Sequence, residues 1–311
     1  MAEGKGFGKT ILFGEHFVVY GLPGIAAAVG DYTEALVEPA EKEFTFVDSR
    51  PETPGYKETK VGEISRQIEA IKKHFKLDAQ KPLKITLAGN LVCATGIGAS
   101  AALAASIARA INQELKLNLN DEQINQAAFA AEQAGSGTPS GIDNTCAVFG
   151  GFITFEKNLQ GGPNKIGKIK VEKPVEIVLA NSGITHELKS VLEDVKALKE
   201  KKPKEFEKIF KDYRKIFDSA LLALEKGDWK KVGKLMNKNH ELLQKITVSC
   251  KELDKMQKIA LKAGALGAKL TGTGRGGLLI ALTPGKELQE KVAKALEKAG
   301  FACQKTKIGG L

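Results

Sequence analysis

The chain is poor in the residues that build staples and metal centres: its 311 residues include 4 Cys, 4 His and 1 Trp. Cys93, Cys146, Cys250 and Cys303 lie far apart with no CxxC pair, which excludes a zinc ribbon and a secreted-type disulfide framework and predicts reduced, buried thiols. His16, His74, His186 and His240 are equally scattered. His186-Glu187 is not followed by a second histidine at zinc-protease spacing, so no structural transition metal is expected. No run approaches the roughly 18 apolar residues of a membrane span. The start, Met-Ala-Glu-Gly-Lys-Gly, has no signal-peptide core, and a cytosolic address is expected.

Aromatic residues are also scarce, at 6%. Lys+Arg number 47 against 37 Asp+Glu, a formal charge of +10. Base-stacking platforms are missing, and the lysines of residues 191–215 are interleaved with glutamates. The surplus therefore reads as solvated helix faces, with neither nucleic acid nor membrane as a partner. What remains, 42% hydrophobic and 27% charged, is the balance of a globular protein long enough for two domains.

Val, Ile, Thr and aromatics mark strands at 10–13, 17–20 and 33–37, followed by a Pro/Gly loop and a helix over 63–75 with Ile64, Ile68, Ile71 and Phe75 on one face. A strand at 83–87 precedes an Ala-rich helix, 100–117, whose lack of a polar face predicts burial. Asn120 with Gln123 resembles a capping box opening a helix to about Ala134. Strand is expected at 147–155 and a boundary near 165–175, giving domains 1–170 and 171–311. The second domain reads as a strand at 175–180, a Lys-rich helical region, a helix capped by Asp228, and a further capping box at Ser249 and Glu252. Three strands then surround a helix over 287–299. The sum is an α+β class, helices on one face of an antiparallel sheet.

Three glycine clusters stand out. Gly8-Lys9-Thr10 ends like a phosphate loop but lacks the upstream glycine and preceding strand of one, leaving a lysine at a strand start before the turn Gly14-Glu15-His16. Gly96-Ile97-Gly98-Ala99-Ser100-Ala101 follows a strand and opens a helix, so its amides can hold phosphate oxygens. It fits a dinucleotide fingerprint in form, but no acidic strand end follows at the required distance. Ser100 there is either a plain N-cap or a Mg²⁺ ligand. Gly272-Thr273-Gly274-Arg275-Gly276-Gly277 leads into a strand and reads as a hairpin-like loop with more glycine than a turn needs, which favours close approach to a ligand. Asp143, in the Gly/Pro-rich stretch 137–144, and Glu132 near a helix end add carboxylates. Lys9, Ser100, Glu132 and Asp143 together offer what phosphoryl transfer needs: a cation, metal ligands and a carboxylate for the acceptor hydroxyl.

In order and spacing, residues 6–16, the loop 96–101, the stretch Thr138-Pro139-Ser140-Gly141-Ile142-Asp143-Asn144 and Lys269-Leu270-Thr271-Gly272-Thr273-Gly274 resemble the motifs of the GHMP small-molecule kinases. The likeness covers essentially the whole chain and runs to the branch acting on mevalonate. It implies a two-domain fold, ribosomal-protein-S5-like then ferredoxin-like, and ATP-dependent phosphorylation of the C5 hydroxyl of mevalonate; another small alcohol, such as phosphomevalonate or a sugar, is the alternative. It further implies Asp143 as catalytic carboxylate, with Lys9 beside it to favour its charged form and to stabilise charge on the transferring group. Ala94, Thr95, Gly96, Ile97, Gly98, Ala99 and Ser100 would cradle the ATP phosphates, and Ser100 and Glu132 would hold Mg²⁺. Glu15, His16, Asp143, Gly272, Thr273 and Gly274 would line the acceptor side. A homodimer is compatible with the resemblance. Ala94 and Ala99 depart from the family's usual glycine and serine in the phosphate loop.

Overall fold

The computed structural model describes residues 1–41, 44–52, 55–77, 82–93, 96–137 and 139–309. Contacts group the chain into two units, residues 1–9 with 28–150 and residues 10–27 with 151–311.

The first unit holds the start of β1 (Ala2–Phe13), the end of β2 (Gly24–Pro39), β3 (Thr45–Asp48), α1 (Tyr56–His74), β4 (Leu83–Gly89), α2 (Ala99–Glu114), α3 (Asp121–Ser136) and α4 (Ile142–Phe149). β2 pairs antiparallel with β4, and β3 pairs parallel with it. Val37, Ile85 and Leu87 face Ile64, Ile68 and Ile71 of α1 and the alanines of α2 in one core. Every residue from Ala101 to Ala108 is buried, as the missing polar face predicts.

β1 starts earlier than its residue types suggest, because glycine is a poor strand former. Gly4 and Gly6 explain the cost accepted: a Cβ on Gly6 would fall 2.1 Å from the Ala102 carbonyl oxygen, and one on Gly4 2.3 Å from that of Ser106. Strand backbone thus lies directly on helix backbone, and Lys9 is an interior strand residue rather than the first. The capping box is present, Asn120 and Gln123 bonding reciprocally at the start of α3. The expected strand at 147–155 is in part helix. α4 runs to Phe149, and Gly150 and Gly151, both at positive φ, separate it from the next strand. Asp143 therefore occupies a first helical turn and not a loop.

The second unit holds the end of β1, a 3₁₀ turn (Phe17–Tyr20), the start of β2, then β5 (Phe152–Glu156), β6 (Lys165–Ile169), β7 (Val175–Asn181), α5 (Leu188–Lys201), α6 (Pro203–Glu225), α7 (Trp229–Lys245), α8 (Lys251–Lys262), β8 (Gly267–Thr271), β9 (Leu278–Leu282), α9 (Lys286–Lys298) and β10 (Ala302–Ile308). β5 pairs with residues 24–27 of β2 and with β6. The order β10-β7-β9-β8 is antiparallel throughout. With helices between β7 and β8 and between β9 and β10, it is the βαββαβ pattern of a ferredoxin-like sheet.

Residues 17–20 are not the expected strand. His16 at φ 62° and Gly21 at φ 77° bracket a tight turn whose Phe17 ring stacks on Tyr213 at 4.1 Å. The Lys-rich helical region breaks in two where Pro203 takes the first turn of α6. Asp228 caps α7 through the Lys231 amide, as expected. No capping box forms at Ser249: the cap residue of α8 is Cys250, and Ser249 Oγ instead donates to Asp254. All four cysteines are free, but only Cys93 and Cys146 are buried; Cys250 and Cys303 are partly exposed. Among the described residues no helix is long and apolar enough to cross a membrane.

Two outcomes follow from this packing. Gly6→Ala forces the strand off α2 and should cost about 3 kcal/mol or more, read as a lower urea midpoint; an unchanged midpoint would show that β1 can shift freely. His240 is buried on α7, its Nδ1 accepting from the Leu270 amide and its Nε2–H donating to Asp254. Burial pushes it from 6.5 down to about 4, although Asp254 pulls the other way. The unfolded chain then takes up this proton first as pH falls. The contribution of His240 to stability is full above pH 6.5 and is lost towards pH 4, by about 3 kcal/mol. His240→Gln, which can make both bonds without titrating, should lose less stability than wild type, by about that amount, on going from pH 7 to pH 4.5 in urea titrations.

Candidate active site

In the first unit, β1 carries Lys9 to the start of α2. The Lys9 amide donates to the Ile97 carbonyl at 2.7 Å, and its Nζ lies 2.9 Å from Asp143 Oδ1. Gly98, at φ 78°, is the cap residue of α2. A Cβ there would lie 3.1 Å from Lys9 Cγ and 3.5 Å from Asp143 Oδ1, so the pair stands at the helix's positive end. Gly141 at φ 90° opens α4 and sets Asp143 in its first turn, over a buried Cys146. Asp143 remains about a third exposed, whereas the Lys9 side chain is 15% exposed. Of the expected phosphate cradle, Gly96, Ile97, Gly98, Ala99 and Ser100 line the turn into α2, and Ala94 and Thr95 fall outside the described residues. Arg50, buried and bonded to Asp48, also donates to the Ala99 carbonyl.

Ser100 is not a plain N-cap. Its Oγ donates to Glu132 Oε1 at 2.6 Å and accepts from Gln67 Nε2 at 2.7 Å, and Gln67 also reaches Glu132 at 3.0 Å. Burial pushes Glu132 up to about 7. The Ser100 and Gln67 bonds oppose that, and the negative charges of Asp143 and Glu63 reinforce it. Sequence reasoning did not name Gln67. The signal was a polar residue between Ile64, Ile68 and Ile71, on the buried stripe of α1, where it needs a polar partner.

In the second unit, the turn after β1 holds Glu15 and His16, both buried. The Glu15 carboxylate accepts from Lys269 Nζ of β8, which also donates to the Leu270 carbonyl at 2.6 Å. Both side chains of this ion pair are fully buried. Burial holds Lys269 below the ordinary lysine value and Glu15 opposes the shift. His16 Nε2 lies 2.7 Å from the Thr273 carbonyl. A carbonyl only accepts, so Nε2 carries the proton and Nδ1 is a lone pair, buried and without a partner among the described residues. Burial keeps His16 below the ordinary histidine value, despite the Thr273 bond, and the Arg275 charge adds to the effect. Gly272, Thr273 and Gly274 fall in the loop joining β8 to β9, the expected hairpin. It is pinned where a Cβ on Gly274 would meet Val248 at 2.4 Å, and Arg275 pairs with Asp194 of α5. Lys269 lies in a motif that gives it no role of its own. A lysine within a strand as apolar as Ala268-Lys269-Leu270 was the available signal.

Two family models match: GHMP kinases N terminal domain over residues 63–151 and GHMP kinases C terminal over residues 220–302. The curated mevalonate kinases of Thermococcus gammatolerans and Pyrococcus abyssi are 33% and 32% identical, each over 96% of this chain and over 94% and 93% of their own lengths. The crystal structure of L. major mevalonate kinase in complex with R-mevalonate is similar at TM-score 0.92 and 36% identity, covering 99% of this chain and 96% of that one. A Streptococcus pneumoniae phosphomevalonate kinase structure, at TM-score 0.75 and 15% identity over 99% of this chain and 100% of that one, shares the fold.

The Ser100 bond lowers the proton affinity of Glu132, so Ser100→Ala should raise the Glu132 value above about 7. Carboxyl ¹³C NMR titration, assigned with Glu132→Gln, reads the change. A fall instead would mean that the hydroxyl does not stabilise the carboxylate.

Proposed function

The chain belongs to the GHMP kinase family, within its mevalonate kinase branch, and from that premise we propose that it transfers the γ-phosphoryl group of ATP to the C5 hydroxyl of mevalonate, giving 5-phosphomevalonate and ADP. The observation that carries this reading is the Lys9–Asp143 pair, 2.9 Å apart at the amino end of α2. Phosphoryl transfer leaves a protein little covalent chemistry; it demands positioning and charge compensation. Asp143 would orient the acceptor hydroxyl and take its proton, and Lys9 would offset charge on the transferring group. The amides of residues 96–100 would hold phosphate oxygens at the helix's positive end.

Mg²⁺ fits the residues present. A buried carboxylate that burial and two neighbouring carboxylates hold up at about 7 is a place where a divalent cation is stabilised. Glu132 and Ser100 would hold it, and it would supply charge neutralisation on the β- and γ-phosphate oxygens. Among the described residues no three His, Cys, Asp or Glu side chains converge into a cage. Mg²⁺ sites draw on one or two carboxylates, substrate phosphates and water. On the acceptor side the reading assigns His16, Glu15, Gly272, Thr273 and Gly274, with the His16 Nδ1 lone pair free to accept from a substrate hydroxyl.

ADP release measured with mevalonate, phosphomevalonate and a panel of sugars tests the substrate; strong preference for another alcohol ends the mevalonate reading. In the same assay Asp143→Asn should lower kcat by about 10³-fold with ATP affinity nearly intact. Unchanged turnover would remove Asp143 from the chemistry.

A further inference from the structure

His16 is held in a conformation it would not choose. Its φ of 62° with ψ of −31° lies outside the ordinary regions for a residue with a side chain, and such strain persists only where the surroundings over-determine it. The surroundings here are one edge of β8 and the loop beyond it. Strand alternation puts Lys269 and Thr271 on the same face. Thr271 Oγ1 accepts from the Ile11 amide at 3.1 Å and donates to the Ile11 carbonyl at 3.0 Å, fixing the end of β1. Lys269 grips Glu15, and the Thr273 carbonyl accepts the His16 Nε2–H bond. Every second residue of 269–273 thus holds one point of the segment 11–16.

A fully buried lysine–carboxylate pair is a costly way to fill space, since apolar residues of similar volume pack there at least as well. Its directional bonds do what apolar packing cannot, which is to fix the rotation of the turn. Glu15 is fully buried and engaged by Lys269.

Resting on the mevalonate kinase reading, we infer that Lys269 is a positioning residue of the acceptor site: through Glu15 it holds the Gly14–His16 turn so that His16 keeps its proton on Nε2 and offers Nδ1 to the acceptor's hydroxyl. Glu15 belongs to this device.

The test compares wild type, Lys269→Met, Glu15→Gln and the charge-balanced double variant Glu15→Gln/Lys269→Met, which leaves no unpaired buried charge and carries the comparison if Lys269→Met alone fails to fold. Two readouts are taken: KM for mevalonate and for ATP, and the ¹⁵N signals of His16, assigned with His16→Gln. In the double variant KM for mevalonate should rise about tenfold or more and KM for ATP stay within about twofold. His16 should pass from one Nε2–H tautomer to a mixture. Glu15→Gln alone keeps an acceptor for Lys269 but leaves the lysine charge unbalanced, and it too should raise KM for mevalonate. An unchanged mevalonate KM, an unchanged His16 spectrum, or an equal rise in both KM values overturns the inference. So does an unfolded double variant, because the pair would then hold the domain rather than the turn. Loss of mevalonate binding in Glu15→Gln with none in Lys269→Met makes Glu15 the contact and overturns it too. If wild type does not phosphorylate mevalonate, the reading of function fails, and the His16 spectrum decides the positioning role alone.

Discussion

The first unit depends on backbone lying against backbone. Gly4 and Gly6 remove the side chains that would separate β1 from α2, and the alanines of α2 do the same from the other side. The close approach fixes the height of β1 along the helix axis, because there is no long side chain whose rotamer could absorb a slip. Lys9, a few residues further on, is thereby delivered to the helix's first turn, where its amide meets the Ile97 carbonyl and its Nζ meets Asp143. α2 is apolar over most of its first three turns. Apart from the bond of Ser106 Oγ to the Leu103 carbonyl within the helix, its side chains bond outward from Ser100 at one end and from Arg109, Asn112 and Gln113 towards the other.

Two lysine–carboxylate pairs then do opposite work because of where they are buried. Lys9 and Asp143 meet where Asp143 is still about a third exposed, so a substrate can reach the carboxylate and water can be displaced from it. Lys269 and Glu15 meet with no exposure, so neither group can exchange its partner for a substrate. A pair of the first kind is available for chemistry; one of the second kind fixes geometry, since its breaking would strand a charge in a medium that does not solvate it. Glu132 lies between these cases, buried but facing Ser100 and the charge of Asp143, and its proton affinity is raised.

Much of this was legible in the residues. The motif order identified the family and its two-domain fold, which the family models and the similar structures bear out. The α2 burial, the α3 capping box and the β8–β9 hairpin followed from periodicity and turn chemistry. The failures have a common cause, tertiary contact overruling local preference. The glycines of β1 hid a strand, since their reason for being there is a helix more than ninety residues away in sequence. Phe17–Tyr20 has strand composition yet forms a 3₁₀ turn, because Phe17 is captured by Tyr213. Gln67 and Lys269 were passed over because a polar residue in an apolar stripe declares its partner only when the partner is in view.

His16 shows why the acceptor side could not be read further from the sequence. A histidine after Gly-Glu at a strand end has two nitrogens and two tautomers, and no spacing rule chooses between them. The choice is made by the Thr273 carbonyl, which can accept a hydrogen bond and cannot donate one. That carbonyl belongs to a loop whose glycines, at positive φ on either side of Thr273, let the backbone turn its oxygen inward. The excess glycine in the loop is therefore explained in part without a ligand: it frees a backbone oxygen to set the protonation of a side chain that the sequence places some 250 residues earlier.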